Sequence, residues 1–174
     1  MKFESQSFPN RFNRAEFTIT EQIWQDGQCH QGLSSDGIHN PSFRQVNELH
    51  VTHSSLTDSL RALFEEANAV YQVDISEHIE LRLLQYRGDQ GGRCDLHQDS
   101  LWTTPIDRKL TAIIALNAPY EYLGGEFYCE GMAPRKLELG EALVFPGFMQ
   151  HGITPVTRGT RMVLLAWQYG KAWK

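Results

Sequence analysis

The sequence has few cysteines, no surplus of positive charge and no long apolar run. Its three cysteines are an odd number without a Cys-x-x-Cys pair. We therefore expect neither a disulfide framework nor a cysteine-based zinc site, and a reducing cytoplasm is the simplest setting. The 16 lysines and arginines are outnumbered by 21 aspartates and glutamates, and the net charge of −5 argues against nucleic acid as a partner. A negative net charge is still compatible with one local pocket lined by basic residues.

The sequence also has no apolar segment long enough to span a membrane. No run approaches the roughly 18 apolar residues of a membrane span, and the first residues lack the apolar core of a secretion signal. The 174 residues fit one domain, and 41% hydrophobic with 21% charged residues is typical of a globular chain. The sequence therefore predicts a single cytoplasmic domain over residues 1–174, with no membrane partner.

The apolar pattern predicts one helix and a series of short strands. Apolar residues recur at helical spacing over Leu56–Tyr71, and Thr57 or Asp58 can cap the start of this helix. The glycine-rich segment Asp26–Pro41 is predicted to be a long loop. Strands are predicted at Gln45–Val51, Ile79–Arg87, Leu110–Leu116, Glu126–Tyr128, Ala142–Phe145 and Arg161–Trp167. Short strands separated by glycine and proline favour a β-sandwich or jelly roll.

Two histidines and one carboxylate have the spacing of a metal site. His97 and Asp99 are two residues apart, so in a strand both point to one face. Further along, an apolar strand ends in a turn that leads to His151. Two histidines and one carboxylate on one face leave positions open on Fe(II), as in the facial triad of non-haem iron oxygenases.

Arg161 opens the last strong strand, whose residues are apolar on both faces. A buried arginine needs an anionic partner, and a ligand carboxylate can be held by a bidentate, charge-assisted pair. A surface arginine is the alternative. His78 and Glu80 form another same-face pair, which we predict to be an ordinary solvated face together with Arg82.

A longer ordered set of residues surrounds these positions over about residues 79–168. In chain order it consists of Tyr86-Arg87-Gly88, His97-Gln98-Asp99, Leu116-Asn117, Gly124-Gly125-Glu126-Phe127, Phe145-Pro146, His151, Pro155-Val156-Thr157, Gly159, Arg161 and Trp167. This set resembles the Fe(II)- and 2-oxoglutarate-dependent dioxygenases, specifically the prolyl 4-hydroxylase-like branch. The resemblance implies a mainly β (α+β) fold, a double-stranded β-helix of the jelly-roll or cupin-like type. The predicted N-terminal helix would support its outer face.

The resemblance also implies roles for individual residues. His97, Asp99 and His151 correspond to the iron ligands, and Arg161 to the residue that pairs with the distal carboxylate of 2-oxoglutarate. Tyr86 resembles the tyrosine that lines the cosubstrate and iron pocket.

Three further positions bear on the cosubstrate and the substrate. Arg108 resembles the arginine that contacts the target peptide, with a plain surface charge as the alternative. Trp167 resembles the tryptophan that borders the prolyl ring, with simple core packing as the alternative. Many relatives place a tyrosine that helps to bind 2-oxoglutarate where this chain has Ala115.

By this resemblance we expect hydroxylation of prolyl residues in a protein or peptide. The reaction would use Fe(II), 2-oxoglutarate and O2, with stimulation by ascorbate, and would produce succinate and CO2. The first alternative is the same chemistry on a free amino acid or small molecule. A closed pocket between Arg108 and Trp167 would favour this alternative. The second is a non-catalytic jelly-roll protein that binds a metal and a carboxylate. A zinc hydrolase is weaker, because no general base or nucleophile motif accompanies the ligands.

Overall fold

The computed structural model describes residues 4–33 and 40–173. Within these ranges the chain forms two helices and twelve strands. The helices are α1 (Arg14–Asp26) and α2 (Ser54–Tyr71), and the strands are β1 (Gln6–Phe8), β2 (His30–Gln31), β3 (Arg44–Gln45), β4 (Asn47–Val51), β5 (Ile79–Arg87), β6 (Arg93–His97), β7 (Ile106–Ala115), β8 (Tyr122–Gly124), β9 (Phe127–Cys129), β10 (Ala142–Pro146), β11 (His151–Ile153) and β12 (Val156–Lys171).

The strands form two antiparallel sheets. The major sheet has the order β1-β10-β7-β12-β5-β4-β2, with β8 paired to one end of β12, and the minor sheet has the order β3-β6-β11-β9. Side chains from both sheets meet in one buried cluster, among them Phe145 and Val163 from the major sheet and Phe127 and Ile153 from the minor sheet. This sandwich confirms the predicted jelly roll.

A second buried cluster lies on the outer face of the major sheet. Helix α2 turns Leu60, Leu63 and Phe64 toward this face, where they pack with residues such as Leu83 and Leu164. Burial of each such side chain stabilises the fold by about 1.5–3 kcal/mol. The predicted supporting helix is thus confirmed, and it leaves the inner face of the sheet free for the interior of the sandwich.

Strand β12 shows why the sequence is apolar on both faces here. Leu164 and Ala166 belong to the outer cluster, whereas Val163, Leu165 and Trp167 belong to the inner one. Alternate residues of a strand point to opposite faces, so a sheet covered on both sides needs a continuous apolar run.

Two expectations for the N-terminal part are wrong. Helix α1 was not predicted, although Asn13 and Glu16 form a capping box at its start. The predicted loop Asp26–Pro41 contains β2, which pairs with β4, and its residues 34–39 lie outside the described residues. In the described part of the chain, no helix is long and apolar enough to cross a membrane. The single-domain organisation over 1–174 stays a prediction.

Candidate metal and carboxylate site

His97 and His151 lie opposite each other on neighbouring strands of the minor sheet. His97 is the last residue of β6 and His151 the first of β11, and the two are paired in register. The Nε2 atom of His97 lies 3.7 Å from Oδ1 of Asp99, and Nε2 of His151 lies 3.6 Å from Oδ2 of Asp99. The ligand atoms of all three residues lie within 4.8 Å of one another. The structure therefore brings the predicted triad together.

The second nitrogen of each histidine fixes its orientation. Nδ1 of His97 lies 2.8 Å from the carbonyl oxygen of Asp95, and Nδ1 of His151 lies 2.9 Å from that of Met149. A carbonyl oxygen can only accept a hydrogen bond, so both Nδ1 atoms carry the proton. Both Nε2 atoms are then left for a metal ion, the arrangement that metal-binding histidines adopt.

Asp99 is tied to the major sheet. The Thr111 hydroxyl on β7 donates a hydrogen bond of 2.6 Å to Oδ2 of Asp99. The carbonyl oxygen of Gly147 accepts from the backbone N–H groups of Asp99 and Ser100. A Cβ at Gly147 would lie 2.5 Å from the carbonyl oxygen of Arg108, so only glycine fits this close approach.

The charges of the triad favour a cation at its centre. Burial works to raise the pKa of Asp99, but His151, His97 and the Thr111 hydroxyl outweigh it and hold that pKa below its ordinary value. Burial lowers the pKa of His151 to about 4. The pKa of His97 is raised to about 9, because the effects of Cys94 and Asp99 exceed that of burial. The carboxylate of Asp99 beside Nε2 of His97 thus favours a positive charge there, and a metal ion can supply it in place of a proton. This donor set fits Fe(II).

Arg161 supplies an unpaired positive group in the same cavity. The residue is buried on β12, opposite Tyr86 on β5, and its Cζ lies 5.3 Å from the centre of the Tyr86 ring. Its Nη2 atom has no hydrogen-bond partner among the described residues. A buried guanidinium with a free donor fits an anionic ligand such as the carboxylate of 2-oxoglutarate.

Tyr122 is a neighbour of Arg161 that sequence reasoning missed. Burial raises the pKa of Tyr122, while the charge of Arg161 and its hydrogen bond with the tyrosine side chain work in the opposite direction. Gly125, at φ +67, leaves room for this contact, because a Cβ there would lie 3.1 Å from Cδ of Arg161. Ala115 on β7 is buried and offers only a methyl group. Tyr122 and Tyr86 therefore supply the aromatic surroundings of Arg161.

One cavity of about 480 Å³ collects the predicted site residues. Its lining includes all seven of them: Tyr86, His97, Asp99, Arg108, His151, Arg161 and Trp167. The cavity reaches solvent beside His30, Leu33, His50 and Leu101, which are exposed. Within residues 4–33 and 40–173, the cavity is thus open at one side.

Arg108 and Trp167 lie against each other in this cavity. Cζ of Arg108 is 3.8 Å from the centre of the Trp167 ring, a cation–π contact. Nε of Arg108 donates to the Tyr169 hydroxyl at 3.1 Å, and its Nη2 lies 3.4 Å from Oε2 of Glu80. Arg108 is therefore a held, part-buried residue and not a plain surface charge.

The expectation of a solvated face at Glu80 and Arg82 is wrong. Glu80 lies opposite Trp167 in the register of β5 and β12, so its side chain points into the sandwich. Both side chains are mostly buried and joined by an ion pair of 2.6 Å. Of the three residues assigned to that face, only His78 is exposed.

A second group with metal-binding side chains lies at the rim of the cavity. It consists of His30, Glu48 and His50. Glu48 already accepts from Arg44 at 2.7 Å and from Arg82 at 3.0 Å. Two guanidiniums repel a cation at this point, so the group fits a salt-bridge cluster better than a metal site.

Comparison with known proteins agrees with this geometry. No protein-family model matches the chain. A prolyl hydroxylase from Trichoplax adhaerens, solved with a peptide fragment of the hypoxia inducible factor oxygen degradation domain, superposes with a TM-score of 0.78 at 15% identity, covering 95% of this chain and 83% of that one. A Pseudomonas putida prolyl-4-hydroxylase superposes with a TM-score of 0.76 at 15% identity, covering 96% and 93%.

The fold is therefore that of the Fe(II)- and 2-oxoglutarate-dependent dioxygenases, and the predicted resemblance is confirmed. A PKHD-type hydroxylase from Hyphomonas neptunium is 32% identical over 165 residues, which cover 86% of this chain and 69% of that protein. The chain belongs to the PKHD-type hydroxylase family and is an oxidoreductase. Membership of an enzyme family removes the non-catalytic binding protein as an alternative.

Proposed function

We propose that the protein is an Fe(II)- and 2-oxoglutarate-dependent hydroxylase of prolyl residues in a protein or peptide. The main observation behind this proposal is one cavity that holds both the His97, Asp99 and His151 triad and Arg161. The Nη2 atom of Arg161 is buried there without a partner among the described residues. A metal triad alone fits several kinds of enzyme. The added guanidinium favours a carboxylate cosubstrate.

In this proposal His97, Asp99 and His151 hold Fe(II), and Arg161 binds the distal carboxylate of 2-oxoglutarate. When bound, these two groups supply the activation of dioxygen and the conversion of 2-oxoglutarate to succinate and carbon dioxide. Tyr86 packs against the guanidinium and keeps that end of the pocket dry. A dry pocket strengthens the pairing of Arg161 with a carboxylate.

The chain's other residues hold these groups in position. The Thr111 hydroxyl orients the Asp99 carboxylate, and the carbonyl groups of Asp95 and Met149 orient the two imidazoles. Outer hydrogen bonds of this kind tune and fix metal ligands.

Arg108 and Trp167 would bind the substrate beside the metal. Trp167 forms an apolar wall for a ring such as that of proline, and Arg108 offers hydrogen-bond donors to the chain around it. The exposed opening of the cavity supports a substrate that extends outward, and the peptide complex of the Trichoplax adhaerens neighbour supports the same class. A free amino acid would fill only part of such a site.

The test follows conversion of 2-oxoglutarate to succinate by proton NMR with Fe(II), ascorbate and air. A pool of proline-containing peptides should raise the succinate signal, and mass spectrometry should find one added oxygen on a peptide. Asp99→Asn should remove the peptide-dependent signal, whereas Asp89→Asn, a change at an exposed carboxylate outside the cavity lining, should keep it.

Three outcomes are informative. Succinate that rises with peptide supports the proposal. Succinate that is indifferent to every peptide but rises with free amino acids would transfer the activity to a small molecule. Absence of succinate from protein with confirmed Fe(II) loading would contradict the cosubstrate assignment.

A further inference from the structure

Three guanidiniums share two carboxylates on one wall of the cavity. The arginines are Arg44, Arg82 and Arg108, and the acids are Glu48 and Glu80. The arginine side chains are 11%, 19% and 17% exposed, and the glutamate side chains 3% and 20%. This wall is therefore shielded from solvent and has three guanidiniums against two carboxylates. The next negative group that acts on Arg108 is Asp99, which belongs to the metal triad.

The pairing geometry leaves that excess beside Trp167. Arg82 donates to Glu80 and to Glu48, and Arg108 reaches Glu80 only at 3.4 Å. Both arginines lie over the same indole, with Cζ of Arg82 at 5.1 Å and Cζ of Arg108 at 3.8 Å from the ring centre. The two guanidiniums approach the indole from β5 and β7, the two strands that flank β12, and part-burial reduces the screening of their charges by water. An anion at the edge of the indole would offset the positive potential of both.

Trp167 gives an independent indication of a ligand. Its side chain is buried and lines the cavity, and its Nε1 has no hydrogen-bond partner in residues 4–33 and 40–173. Unsatisfied buried donors are rare in folded proteins because each loses its hydrogen bond to water without a replacement. A ligand oxygen would satisfy this N–H.

We propose that the substrate carries a carboxylate close to the carbon that is hydroxylated, and that Arg82, Arg108 and the Trp167 N–H recognise it. This inference rests on the proposed function and names its substrate class. Arg82 is the specificity-determining residue in this proposal, since it lines the cavity and lies against Trp167. The carboxylate belongs either to an aspartate or glutamate next to the target residue or to a chain terminus or free amino acid.

Binding of matched probes to the full chain tests the inference without turnover. One arm compares Ac-Asp-Pro-Ala-NH2 and Ac-Ala-Pro-Asp-NH2 with their asparagine counterparts. The other compares Ac-Ala-Pro-OH and free proline with Ac-Ala-Pro-NH2 and prolinamide. Calorimetry in the presence of 2-oxoglutarate and Mn(II) should give at least one acid a Kd about tenfold or more below that of its amide. The arm in which this occurs identifies the source of the carboxylate.

Changes of ionic strength and substitutions at Arg82 test whether this residue causes the preference for acids over amides. The affinity of the preferred acid should fall as ionic strength rises, whereas that of its amide should change little. Arg82→Gln should remove the preference and Arg82→Lys should keep part of it. Arg87→Gln is the matched control, because Arg87 lies on the same strand, has a side chain that is 41% exposed and pairs with Asp89 outside the cavity lining. Should Arg82→Gln fail to fold, the comparison of acids with amides on the unaltered protein still decides.

Equal affinity for acids and amides, or failure of every acid to bind, would overturn the inference. Peptide-dependent succinate together with equal affinities would leave the proposed function intact and remove only the carboxylate subsite. A preference for acids without any peptide-dependent succinate would support the subsite and contradict peptide hydroxylation.

Discussion

His97 and His151 face each other across two strands of the minor sheet, and both present Nε2 to the carboxylate of Asp99. Asp99 itself is held by Thr111 of the major sheet. The candidate metal centre therefore joins the two sheets, and a bound ion would act on the stability of the whole sandwich.

Addition of a divalent metal should raise the melting temperature. At a metal concentration of 100 times Kd, binding stabilises the fold by about 2.7 kcal/mol, which is roughly 5–10 °C for a chain of this size. Thermal unfolding with Mn(II) or with EDTA measures the effect. Asp99→Ala should abolish the shift and Asp89→Ala, at an exposed carboxylate, should preserve it. An equal shift of the melting temperature in both variants would show that the ion binds at another site.

Thr111→Val should weaken metal binding by about tenfold or more, because it removes the hydrogen bond that orients Asp99. Titration with Mn(II), followed by electron paramagnetic resonance, gives the affinity. Thr18→Val is the control, since the Thr18 hydroxyl bonds only within α1 to the carbonyl oxygen of Arg14. Unchanged affinity in Thr111→Val would show that the Asp99 carboxylate is oriented without this hydroxyl.

Arg161→Ala should lose about 1.5–3 kcal/mol of 2-oxoglutarate binding, the contribution of a hydrogen bond to a charged group. Calorimetric titration of the Mn(II)-loaded protein measures it. Arg158→Ala changes an exposed arginine on the same strand and should bind 2-oxoglutarate normally. If both variants bind alike, Arg161 does not belong to the cosubstrate site.

Glu48→Gln should destabilise the protein near neutral pH and much less in acid. Burial works to raise the pKa of Glu48, but Arg44 and Arg82 outweigh it and hold the folded-state pKa below the ordinary value. A carboxyl group with a lowered pKa stabilises the fold above its unfolded-state pKa, and this stabilisation is lost as the pH falls through the folded-state pKa.

Loss of one partner from such a buried cluster costs about 3–5 kcal/mol. Urea unfolding of Glu48→Gln and the unaltered protein at pH 7, and again below pH 4, gives the two differences. Glu65→Gln, at an exposed position of α2, should differ little at either pH. A pH-independent loss in Glu48→Gln would mean that packing, and not charge, is responsible.

The strands that carry the site could be predicted because their side chains alternate strictly. Strand β5 has the predicted bounds Ile79–Arg87, and its alternation directs Tyr86 inward. The same alternation directs Glu80 and Arg82 inward as well, so their burial was available from the sequence. Their polarity alone made an exposed face the simpler interpretation.

Other parts of the site depend on contacts that no local pattern contains. Tyr122 meets Arg161 because β8 pairs with the first part of β12, and Glu48 meets Arg82 because β4 pairs with β5. Helix α1, in contrast, was available from the sequence, because Asn13 and Glu16 form a capping box and apolar residues at helical spacing, such as Phe17 and Trp24, follow it. Pairings between distant segments are decided by the whole fold and not by residue spacing.

The division of the site between two sheets has a consequence for how the protein would lose activity. The imidazoles come from the minor sheet, whereas Arg161, Arg108 and Trp167 come from the major sheet. Together with the hydrogen bond from Thr111 to Asp99, the apolar side chains between the sheets fix the distance across which the reacting groups would meet. They include Phe127 and Phe145, whose ring centres are 5.4 Å apart. Slightly looser packing between the sheets would misalign the imidazoles with Arg161, Arg108 and Trp167, while the geometry within each sheet stayed intact. Oxidation of 2-oxoglutarate could then continue without a hydroxylated product, so the ratio of the two products would report the spacing of the sheets.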